Sequence, residues 1–61
     1  METFDAVMLI EDGEEHDEQE MLEAWASLIK SGACWHLQGF YGRAAQHLID
    51  IGFISKTGEI L

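Results

Sequence analysis

Apolar positions recur along this chain at helical spacings, and glycines interrupt them. Met21, Leu22, Trp25, Leu28 and Ile29 stand at i, i+1, i+4, i+7 and i+8, one face of a helix. Asp17 with Glu20 three residues later has the spacing of a capping box, with Asp in place of Ser or Thr. The acidic first turn and Lys30 in the last turn both suit the helix dipole. The pattern predicts a helix over Asp17–Ser31.

Farther on, Cys34, Leu37, Tyr41, Ala44, Leu48 and Ile51 are spaced 3, 4, 3, 4 and 3, an unbroken seam. A second row, Trp35, Gln38, Gly42, Ala45 and Ile49, repeats that spacing and is mostly small or apolar. Together they predict one helix from about Ala33 to Ile51, apolar over much of its circumference and central to the fold. Gly39 and Gly42 cost about 1 kcal/mol each inside a helix. They either permit close backbone approach within a kinked helix, the expectation adopted, or split the segment near Gly39.

The first segment, Thr3–Asp12, fits two periods. Phe4, Val7, Met8 and Glu11 match a helix, and Phe4, Ala6, Met8 and Ile10 match a strand. No second strand of comparable quality exists to pair with it, so helix is expected, with Thr3 as its N-cap. Gly13, Gly32 and Gly52 each follow a periodic stretch, where a C-terminal cap belongs. The tail from Phe53 to Leu61 has apolar ends around a turn at Lys56–Glu59, so it is expected to fold back onto the helices. The fold class predicted is all-α: a small three-helix domain with a short C-terminal tail or turn, covering residues 1–61.

Size and cysteine content limit what holds such a domain together. A chain of 61 residues buries about 60% of its unfolded surface, and its core supplies no more than ~3–5 kcal/mol. Cys34 is the only cysteine, which fits a reducing compartment and reads first as a small buried apolar side chain. No stretch nears the ~20 apolar residues that span a bilayer, and the acidic start argues against a secretory signal. A soluble cytoplasmic protein with no membrane association is expected. A homodimer or a stable complex would cover the apolar surface of the third segment.

Charge is unevenly placed. The formal net charge is −9, and ten of twelve carboxylates lie within the first 23 residues, where no Lys or Arg occurs. That field repels phosphate backbones, so direct nucleic-acid binding is disfavoured. It suits docking onto a protein with a basic surface, and it also keeps a small apolar domain in solution. Glu14, Glu15 and Glu18 are the carboxylates expected to engage such a surface.

Candidate chemistry is sparse. Cys34 and His36 point to different sides of a helix, and no second cysteine completes a zinc set. The acidic run around Gly13 lacks the ligand order of a calcium loop. Cys34 has no base at a workable spacing for nucleophilic catalysis. No cofactor and no enzymatic activity are expected. A helix-turn-helix is mimicked by the second helix, Ser31–Gly32 and the third segment, but Arg43 is its one recognition-helix cation. What remains is a stripe, His36, Phe40, Arg43, His47 and Asp50, spaced 4, 3, 4 and 3 opposite the seam. It is either a solvated face with Asp50 paired to Arg43 or His47, or a partner-binding patch, since aromatics and Arg anchor interfaces. His36, Phe40, Arg43 and His47 are its candidate contact residues.

The stretch 28–54 resembles a family of short, uncharacterised bacteriophage proteins. Their pattern, LI-x-x-G-x-x-W-x-LQG-x-YGR-x-A-x-x-LI-x-x-G, is filled without a gap from Leu28, Ile29, Gly32 and Trp35, through Leu37–Gln38–Gly39 and Tyr41–Gly42–Arg43, to Ala45, Leu48, Ile49 and Gly52. The resemblance implies an accessory phage product acting in the cytoplasm of an infected bacterial host, and carries no biochemical activity with it. The expected function is therefore binding to a host protein complex to inhibit or redirect it. The alternatives are a small virion or assembly component and a helix-turn-helix-like regulator.

Overall fold

The computed structural model describes residues 2–11 and 17–61. Asp17 starts the helix α2, Glu18–Ser31: its side chain accepts a 2.8 Å hydrogen bond from the Glu20 N–H, satisfying one of the donors that a helix start leaves open. Gly32 ends it in the left-handed conformation, φ 80°, and its N–H reaches the Ile29 carbonyl at 3.1 Å. Both caps stand where the sequence pattern places them.

Around α2 lie α1, Thr3–Glu11, a 3-10 turn at Ala33–Trp35, and α3, Gly39–Asp50. The chain thus adopts the all-α, three-helix architecture expected of it. Among the described residues there is no strand, only an antiparallel bridge between Ile54 and Ile60 in the tail. The cap expected at Gly13 lies outside the described residues.

The third segment departs from expectation. It is not one kinked helix but a 3-10 turn, a short extended link and a separate helix. A continuous helix over Ala33–Ile51 would run about 28 Å, longer than the 25 Å that the molecule spans along its longest principal axis. Breaking before Gly39 lets the chain fold back, so that Cys34 and the α3 residues Tyr41 and Ala45 share one core. Gly42 sits beneath the turn: a side chain there would begin 3.7 Å from the Cys34 carbonyl and the Trp35 ring. Leu37, a member of the expected seam, is left exposed.

The central element is consequently α2, not α3. Ala24, Trp25, Ala26, Leu28 and Ile29 of α2 are buried, whereas α3 buries only Tyr41 and Ala45. α1 packs on α2 through Ala6, with Val7, Leu9 and Ile10 partly covered. The positions that carry the helical period, Phe4, Val7, Met8 and Glu11, do not form one inward face: Val7 is partly covered, while Phe4, Met8 and Glu11 are exposed, Phe4 by 73%. Ala6 is fully buried at that contact.

The tail is fastened to the end of α3 and against α2. Phe53 and Ile54 N–H groups reach the Leu48 carbonyl, Ser55 N–H bonds the Glu59 carbonyl at 2.7 Å, and Ile54 is fully buried. Gly58, at φ 92°, crosses the α2 backbone so closely that a Cβ would lie 2.6 Å from the Lys30 nitrogen and 2.8 Å from the Ala26 oxygen. Cys34 is a free, buried thiol, its pKa raised by loss of hydration.

Candidate protein-binding surface

Three aromatic rings from two helices form the base of the candidate surface. Trp25 of α2 meets Tyr41 of α3 at 5.8 Å between ring centres and Phe40 edge-on at 6.2 Å. Phe40 and Tyr41 meet edge-on at 5.1 Å. Such geometry suits the ring quadrupoles. Trp25 and Tyr41 are buried, while Phe40 keeps half its surface in solvent. Phe40 is therefore held on one side and open on the other.

Tyr41 also reaches α1, its phenol donating a hydrogen bond to a Glu11 carboxylate oxygen. Burial, that hydrogen bond and the Glu11 charge together push the Tyr41 pKa up to about 12.

The expected stripe survives only in part. Phe40, Arg43, His47 and Asp50 share a face of α3 and are all exposed. His36 is exposed as well, but it ends the 3-10 turn rather than continuing that helix. The pairs Arg43–Asp50 and His47–Asp50 do not form; Asp50 instead accepts a 3.0 Å hydrogen bond from Gln46. The Arg43 guanidinium folds back along α3 toward Gly39, where a Cβ would stand 2.9 Å from Nη1. No ion pair ties it to a described residue.

On the acidic side, Glu2, Asp5 and Glu11 of the first segment and Asp17, Glu18, Glu20 and Glu23 of the second are all exposed. Asp17 is committed to the cap, Glu11 to Tyr41, and Glu23 accepts from the Gln19 amide at 3.4 Å. Glu18 has no hydrogen bond or ion pair to a described residue. Glu14 and Glu15 lie outside the described residues.

Two open clefts flank α2. One, about 500 Å³, is walled by α2 residues Glu23, Ala26, Ser27 and Lys30 and by Gly58, Glu59 and Ile60 of the tail, with charges of both signs. The other, about 220 Å³, gathers Glu18, Met21, Leu22 and Trp25 from α2 with Leu48 of α3 and Phe53 of the tail. The periodicity of Met21, Leu22 and Trp25 marks them as core; that they also line a groove depends on Leu48 and Phe53, which arrive from elsewhere in the chain. Trp25 thus supports Phe40 on one side and borders this groove on another.

Among the described residues no three His, Cys, Asp or Glu side chains converge on a point that could hold a metal ion. No helix among them is long and apolar enough to cross a membrane. No curated protein and no solved structure matches the chain. The model of a family described as a domain of unknown function, DUF7417, matches residues 2–61. Since that match takes in nearly the whole sequence, the chain belongs to the DUF7417 family.

Proposed function

We propose that this protein is a phage-encoded accessory factor that binds a host protein through a basic surface, in the cytoplasm of the infected bacterium, and inhibits or redirects it. The observation that carries the reading is the company Phe40 keeps. It is an aromatic half-exposed yet fixed by Trp25 and Tyr41, with Arg43, which is paired with no described residue, one turn away and the exposed acids of α1 and α2 on the same small body. Aromatic and Arg side chains that are already ordered lose little entropy on binding and make effective anchors. The carboxylates supply long-range attraction toward a cationic partner. The resemblance of residues 28–54 to short bacteriophage proteins supports the viral setting.

The test is affinity capture from infected cells on the immobilised chain, across a salt series, alongside a variant with Glu14, Glu15 and Glu18 changed to Gln. A defined host complex that associates more slowly with the variant, and more weakly in salt, supports the proposal. Capture of virion proteins alone would move the assignment to an assembly component. That second reading is favoured by Phe4 and Met8, which leave an uncovered apolar pair on the outside of α1. A regulator binding DNA through α3 is the weakest alternative, given the −9 net charge.

A further inference from the structure

We propose that the groove between α2, α3 and the tail receives one large apolar side chain from a basic protein segment, with a Lys or Arg beside that side chain meeting Glu18. This rests on the reading of the chain as a binder of basic protein surfaces, and it adds where the partner docks and by what chemistry.

Size argues against a drug-sized ligand. The groove holds about 220 Å³, below the ~300–1,000 Å³ of typical ligand pockets, but enough for a single bulky side chain. Its walls are Met21, Leu22, Trp25, Leu48 and Phe53. Methionine and aromatic walls adjust to different apolar shapes and reward them with polarisable contact.

Charge selects the occupant. Glu18 lies on the rim, is exposed, and is committed to no described residue, unlike its neighbour Asp17. A second copy of the chain would bring another −9 of charge against that rim. A cationic segment brings the opposite sign, and its apolar side chain gives the water-excluded contact that charge alone lacks.

Two synthetic helical peptides of equal Lys content test this, one with Leu at its anchor position and one with Ala there. Each is titrated into the isotope-labelled full chain and followed by backbone amide NMR. The Leu peptide is expected to move the amides of Leu22, Trp25, Leu48 and Phe53. It should bind about 10-fold more tightly than the Ala peptide, the ratio expected when a leucine side chain is largely desolvated. E18Q should weaken the Leu peptide by a factor that shrinks as salt is added. F53S should weaken it at every salt concentration, while amide spectra show α2 and α3 intact. Equal binding of both peptides, with shifts spread over the exposed carboxylates, would overturn the groove and leave the acidic docking reading standing. Binding of neither peptide would overturn both. Groove amides that move on concentrating the chain alone would assign the groove to a second copy, which also overturns the proposal.

Discussion

The Tyr41 phenol is hydrogen-bonded to the Glu11 carboxylate, thirty residues away in sequence, and so ties the end of α1 to the first turn of α3. Few other polar contacts among the described residues reach so far along the chain. Tyr41→Phe should lower stability by about 1 kcal/mol, at the modest end for a hydrogen bond to a charged group, because Glu11 is exposed. Thermal unfolding followed by circular dichroism would read this as a fall of ~4–8 °C.

Burial of the Tyr41 phenol, reinforced by that contact, gives a pH dependence. The folded Tyr41 holds its proton up to about 12, against 10.0 for the free phenol. Between those values the unfolded chain binds fewer protons than the folded one, so stability falls as pH rises. The contribution is complete below pH ~10 and gone above ~12. Wild type should lose stability across this window more steeply than Tyr41→Phe. With one tyrosine in the chain, phenolate absorbance reports the titration directly.

Trp25→Ala should remove roughly 3–5 kcal/mol, the usual range for a large buried aromatic. That equals the whole stability expected of a core this size, so the variant should be largely unfolded by circular dichroism. Trp35→Ala should melt close to wild type, since Trp35 is 46% exposed. A Trp25→Ala variant that melts like wild type would place that ring outside the core.

Gly58→Ala and Gly32→Ala separate conformational strain from collision. Both glycines have positive φ, so either change costs about 1–2 kcal/mol. Nothing lies within 4 Å of a Cβ at Gly32, whereas one at Gly58 runs into the α2 backbone. Gly58→Ala should therefore be the more damaging in thermal melts and should release the tail. Faster amide hydrogen exchange at Ser55 and Leu61 would show that release.

Arg43→Ala should leave the melting temperature nearly unchanged, within ~0.5 kcal/mol, as for a surface substitution that breaks no described ion pair. Its effect should appear in partner affinity, as faster dissociation worth roughly 2 kcal/mol if Arg43 is an anchor. A variant that melts early but binds normally when folded would make Arg43 a structural residue.

Legibility from sequence followed local physics. α2 could be read almost completely, because its cap at Asp17, its stripe from Met21 to Ile29 and its terminator Gly32 are all encoded within a few residues of where they act. α1 was legible as a helix but not in its orientation. Apolar residues lie all around it, and which face turns inward, the one around the fully buried Ala6, is set by the contact with α2 rather than by the pattern of α1 itself. The break before Gly39 was among the readings of the glycines, yet the seam from Cys34 to Ile51 runs straight through it. Spacing records which residues share a face, not whether the folded body is long enough for the helix. The candidate surface divides the same way. Phe40, Arg43 and His47 share a helix face and could be found by periodicity. The groove draws on α2, α3 and the tail, and Glu18 acquires its place only when Leu48 and Phe53 arrive beside it.

The 3-10 turn over Gly42 also makes the protein's interior chemically addressable. Its one sulfhydryl, on Cys34 within that turn, is shut away from solvent. An alkylating reagent can reach it only when the turn lifts or the whole domain opens. The rate of Cys34 modification is therefore a clock for that opening, read by mass spectrometry without any engineered label. A partner seated on Phe40 and Arg43, on the helix that packs against the turn, should slow the clock.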